Sequence, residues 1–191
     1  MKMKIDFKRV DYKRVTVIGL IFIAALVAAY VRFGFSLMVL VSAVVAGILL
    51  AITVIDYDIQ EIPDKLVITL IPCAVAMVWL QPQVTLLSRG IGFLAISLPM
   101  LLLALVINGA FGGGDIKLMT VCGFMLGWQS VLVAFFIAIL LAGAWIVVLV
   151  VRKKAKRGQH IAFGPALCAG VFAALLYGGD LVAWYRGFLM I

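Results

Sequence analysis

The chain has 191 residues, of which 66% are hydrophobic and 13% charged; an ordinary globular domain is about 45–50% apolar and about 25% charged. With a mean hydropathy of +1.27, this composition excludes a water-soluble domain and defines an integral membrane protein. The net charge of +8 would suit a nucleic-acid binder, but its placement along the chain argues against one.

The first stretch, 1–14, is basic and reads as a cytoplasmic anchor with amphipathic character. It is followed by an apolar run without the small-residue cleavage site of a signal peptide. Residues 15–191 read as one membrane-embedded domain, an all-α polytopic bundle of about seven spans. The apolar segments are 15–31, 36–55, 65–80, 90–108, 116–127, 129–151 and 162–178. A crossing helix needs about 20 apolar residues, so 65–80 is slightly short and 116–127 plainly so. The short segment predicts that Asp115 and the turn after it lie below the membrane surface, in a break lined by protein. The tail from Gly178-Gly179-Asp180 to Ile191 is expected to leave the membrane or lie along its surface, with Asp180 a solvated loop acid.

Lys and Arg set the orientation. With a cytoplasmic N-terminus, thirteen of them (residues 2, 4, 8, 9, 13, 14, 65, 117, 152, 153, 154, 156 and 157) fall inside, and only Arg32, Arg89 and Arg186 outside. That is the positive-inside bias of a membrane protein. Trp79, Trp128 and Trp184 fall near the outer ends, where interfacial aromatics belong. The basic residues therefore read as topology determinants and headgroup contacts; the expected surroundings are a lipid bilayer, and no nucleic-acid partner is implied. Cys73, Cys122 and Cys168 sit inside apolar runs with no metal-ligand or disulfide spacing, so no metal or cofactor is expected. His160, beside the basic loop 152–157, reads as a surface residue.

Five of the eight acids fall in two breaks between apolar runs: Asp56-Tyr57-Asp58-Ile59-Gln60-Glu61-Ile62-Pro63-Asp64, and Gly112-Gly113-Gly114-Asp115-Ile116-Lys117. Ionisable groups at such places are costly and mark functional sites. Asp64 reads as a helix cap, and Asp58 and Glu61 as solvated. Asp56 directly follows a span, and Asp115 follows more glycines than a cap requires. One acid from each cluster could form a carboxylate pair that activates water, or the same acids could line a proton or ion pathway. Helix-end dipoles favour charge on Asp115, at a helix start, over Asp56, at a helix end.

The pattern G-G-G-D-I-K-L, preceded by D-Y-D-I-Q-E-I-P-D, resembles the two active-site motifs of the type IV prepilin peptidases. These are polytopic aspartyl proteases of the G-x-G-D class, related in catalytic logic to preflagellin peptidases and presenilins. His160 to Leu167, with Phe163-Gly164-Pro165 at its centre, resembles the family's F-G-P segment. Ala174 to Asp180 resembles its C-terminal end, and the likeness covers about 36–185. By position the resemblance puts the catalytic acids on Asp56 and Asp115, with Asp58 as the alternative first acid because Tyr57-Asp58 also resembles the presenilin Y-D. Gly112, Gly113, Gly114, Lys117, Asp64, Phe163, Gly164 and Pro165 take supporting places. The implied function is removal of the basic leader from prepilin or pseudopilin precursors at the cytoplasmic face of the bacterial inner membrane, without a cofactor. The chain carries none of the paired C-x-x-C motifs of bifunctional members, which implies the short, peptidase-only type. A small proton-coupled transporter and a presenilin-like intramembrane protease are the alternatives.

Overall fold

The computed structural model describes residues 12–107, 111–152 and 162–188. The expectations for most of 1–14, for His160 and for the basic loop beyond Arg152 lie outside the described residues. Those residues form eight α-helices: α1 (Tyr12–Phe33), α2 (Leu37–Ile59), α3 (Asp64–Leu80), α4 (Leu86–Ala95), α5 (Ser97–Val106), α6 (Gly113–Leu126), α7 (Trp128–Val151) and α8 (Gly164–Phe188). Helices α4 and α5 act as one rod, Leu86–Val106. Its break at Ile96 lies one turn before Pro99, which has no N–H to continue the ladder, and the Ser97 hydroxyl donates to the Phe93 carbonyl there.

Seven rods result, in keeping with the apolar pattern. Five of them, namely α1, α2, α4–α5, α7 and α8, are long and apolar enough to cross a membrane. The protein is a multi-pass membrane bundle. Helix α6, with 14 residues, is only about 21 Å long at ~1.5 Å per residue. It is nonetheless the centre of the fold, touching α3, α4, α5, α7 and α8, with Leu118, Met119, Cys122 and Met125 wholly buried. Neighbouring helices surround its middle and its far end, and its first turn opens on a cleft, so a helix too short to cross is tolerated. Apolar tails give helices little reason to associate by hydrophobicity, and close packing at small residues takes over. Gly92 of α4 and Gly123 of α6 show this: a Cβ on Gly123 would lie 2.0 Å from the Gly92 carbonyl oxygen.

Two expectations are corrected at the periphery. The tail does not leave the bundle at Gly178; α8 continues unbroken to Phe188. Asp180 is part of that helix and pairs with Arg32 of α1 at 2.7 Å, while Arg32 also donates to the Leu176 carbonyl at 2.9 Å. Arg89 is not a headgroup contact. It is fully buried and donates to the carbonyls of Met77, Gln81, Phe124 and Met125. A guanidinium there meets the negative dipole ends of both α3 and α6 and satisfies carbonyls that a helix C-terminus leaves without partners.

Candidate active site

The opposite ends of α3 and α6 meet the end of α2 and the start of α8. Asp56 lies in the last turn of α2. The helix stops at Gln60, which takes a left-handed conformation (φ 55, ψ 32) and returns its N–H to the Asp56 carbonyl at 2.9 Å. The chain then runs without regular structure to Pro63, which is extended and caps α3. Asp64 is therefore not the cap, as the sequence suggested, but the first helical residue. Both its carboxylate oxygens accept from the Lys117 ammonium at 2.8 Å. This pair ties the start of α3 to the first turn of α6; Lys117 serves that tie and is not a wall of the cleft.

On α6 the cap is Gly112, and Asp115 is the third helical residue. Its Oδ2 accepts from the Gly112 backbone N–H at 3.3 Å, the reciprocal half of a capping box. Gly114 faces the extended segment so closely that a Cβ would lie 2.7 Å from the Ile62 Cβ. Gly113 has nothing within 4 Å of where its Cβ would stand. The three glycines thus differ in role: Gly114 is a notch for Ile62, and Gly113 is only a spacer.

A third segment completes the arrangement. The Gly164 backbone N–H, at the start of α8, donates to Asp56 Oδ2 at 3.0 Å. A Cβ on Gly164 would sit 2.6 Å from that oxygen, so only glycine lets this backbone reach the carboxylate. Pro165 follows within the first turn, where its missing N–H removes no helical bond. Phe163 anchors the turn, its ring centroid 5.9 Å from Phe111 and 6.4 Å from Phe135.

Asp56 and Asp115 are 5% and 9% exposed, and both line one cleft of about 560 Å³. Gly112 to Gly114 and the stretch from Gln60 to Lys65 form its other walls. Asp58 is not among the lining residues. It is exposed and paired with Arg14 at 3.0 Å, and the Arg14 guanidinium lies 5.8 Å from the Tyr57 ring. The geometry thus separates the two candidates for the first acid. Sequence reasoning missed Ile62 and the aromatic pair around Phe163. An apolar Ile set within an acidic stretch was the available signal for the first.

Asp115 stands outside the five span-length helices. Burial, and next the neighbouring Asp56 charge, raise its carboxyl to about 6. Its Oδ1 is buried with no hydrogen-bond partner among the described residues, whereas Asp56 receives the shorter backbone bond. The raised carboxyl of Asp115 runs against the helix-dipole expectation that this acid carries the charge. Burial and a neighbouring like charge both oppose ionisation there, against a dipole effect of about 0.3–1 kcal/mol, and up to about 2 when partly buried.

Fold and site together define a polytopic helical membrane protein with two buried carboxyls in one cleft. The model of the type IV leader peptidase family matches residues 43–147, a span that holds both acids and the glycine turn. The chain belongs to that family. Among curated relatives, the prepilin leader peptidase/N-methyltransferase of Bacillus subtilis (strain 168) is 32% identical over 162 residues, covering 83% of this chain and 64% of the relative. The proteins of that name from Legionella pneumophila and Stutzerimonas stutzeri are each 30% identical, covering 83% and 85% of this chain and 57% and 59% of their own lengths. The chain therefore spans less than two thirds of each of these relatives. No solved structure matches it.

Proposed function

We propose that this chain is an aspartyl endopeptidase that removes the basic leader from prepilin-like or pseudopilin-like precursors, with Asp56 and Asp115 as its water-activating pair. The observation that carries the reading is the convergence of two buried carboxyls, from different helices, on one cleft, each held by a backbone N–H. Asp56, ionised, takes a proton from a water whose oxygen attacks the scissile carbonyl. Asp115, protonated, hydrogen-bonds the carbonyl oxygen as it gains charge. When the tetrahedral intermediate collapses, the proton taken up by Asp56 passes to the leaving amine.

Family membership supports the substrate class, because the relatives are named prepilin leader peptidases. The positive-inside bias supports a cleft at the cytoplasmic face of the inner membrane. A precursor with an apolar helix could lie in lipid against the bundle while its leader enters the cleft from water.

The test is cleavage of a peptide with a basic leader ahead of an apolar helix, by the purified chain in detergent, with Asp115→Asn as control. Cleavage by the wild type alone supports the reading. Cleavage that survives Asp115→Asn, or that is lost with EDTA and restored by zinc, overturns it.

A further inference from the structure

The acids of the first cluster are not equivalent. Asp56 accepts from Gly164, Asp58 pairs with Arg14 and Asp64 pairs with Lys117. Glu61 lines the cleft, is exposed, and has no ion-pair partner among the described residues. Its neighbour Ile62 is committed to the Gly114 notch, while Glu61 itself stays solvent-exposed at the cleft.

The charge around it has a sign. Among the described lining residues, Asp64 is paired with Lys117 and Asp115 holds a proton in the reading above, which leaves Asp56 and Glu61 against the one base, Lys65. Within the same cleft, Asp115 Oδ1 is buried and has no partner among the described residues, which leaves it open to a polar group there. A negative cleft concentrates cationic segments and repels anionic ones, lipid headgroups included.

We propose that Glu61 is a specificity-determining residue that takes a Lys or Arg side chain of the substrate's water-side segment, next to the bond to be cut. The assignment rests on the peptidase reading above. Glu61 lies beyond the end of α2, on the side away from the apolar belt, so the part of a precursor that reaches it is the leader and not the apolar helix. Lys65, in the first turn of α3 on the same wall, biases the site against an anionic residue.

Two peptides decide it: one with lysines in the leader ahead of an apolar helix, and a twin with those lysines replaced by glutamine. For E61Q on the cationic peptide, KM should rise about two- to fivefold, as expected for losing an exposed ion pair, with kcat unchanged. On the neutral twin, wild type and E61Q should converge, and E61D should restore KM on the cationic one. E61K should exceed E61Q in effect and should favour a leader carrying glutamates. An equal change on both peptides, or none on either, overturns the Glu61 assignment while the peptidase reading stands. If wild type cleaves neither peptide, or Asp115→Asn cleaves both, the peptidase reading fails and takes this assignment with it.

Discussion

Helices α3 and α6 each carry a costly charged neighbour at both ends, and the two ends are solved in opposite ways. At the far end Arg89 is fully buried, yet its two terminal nitrogens reach four carbonyl oxygens. At the cleft end Asp56 and Asp115 are almost as buried, but each has a single backbone N–H, and one oxygen of Asp115 has none. A buried charge that reaches four carbonyls holds helices together, although the Arg89 Nε has no partner among the described residues. An unsaturated pair facing a cavity has hydrogen-bonding capacity left for a water or a substrate. The difference lies in partner count, since burial alone does not separate the two ends.

The sharpest way to break that comparison is to neutralise one acid. Asp56→Asn and Asp115→Asn should each lower cleavage by about 10²–10⁴-fold, the usual contribution of a positioned acid or base, while the protein still inserts and accumulates. Asp58→Asn should stay active. An active Asp56→Asn with a dead Asp58→Asn would reverse the assignment.

The far end should fail in stability and not in chemistry. Arg89→Met leaves helix-end carbonyls without donors, and a buried unsatisfied group costs about 1–3 kcal/mol, so the total loss should be about 3 kcal/mol or more. Thermal unfolding in detergent measures it, with cleavage per folded molecule retained. A loss of turnover at unchanged stability would show that Arg89 does not act as a helix clamp.

Glycine substitutions sharpen the cleft side. Gly164→Ala must displace the Asp56 carboxyl, and a misplacement near 1 Å costs about 10²-fold in rate. Gly113→Ala meets open space and should change stability by about 0.5 kcal/mol or less, with turnover close to wild type. Equal effects in one cleavage assay would refute the distinction.

The pH profile tests the proton assignment. A carboxyl raised to about 6 keeps its proton below that pH and loses it above. If Asp115 must donate, kcat/KM should fall as pH rises through the region near 6. The two carboxyls titrate as a pair, so the limb belongs to the dyad. A rise through that region would make the charged form of Asp115 the working one. The smallest effect belongs to Lys117→Ala, whose exposed pair with Asp64 should contribute about 0.2–1 kcal/mol, read as a modest fall in unfolding temperature.

Much was legible in the linear order of residues. Composition required a membrane protein, and apolar runs near the length of a crossing helix required helices, which satisfy their own backbone hydrogen bonds in lipid. The seven apolar runs located the rods, and two polar breaks held the acids, since charge is rare in such a chain unless something keeps it there. What the order of residues could not decide was which groups meet. Asp56 and Asp58 are both acids at the end of one span, and only the packing of α8 against α2 brings Gly164 to the first and leaves the second beside Arg14. Arg89 read as an interfacial cation because nothing local reveals that the ends of α3 and α6 converge on it. The glycines of G-G-G-D are identical in sequence and differ only by what stands opposite: Ile62 against Gly114, open space beside Gly113. The proton's place on the dyad is likewise a tertiary matter. Local helix dipoles act within one turn, whereas the burial and mutual approach of the two carboxyls arise only when α2, α6 and α8 close around one cleft.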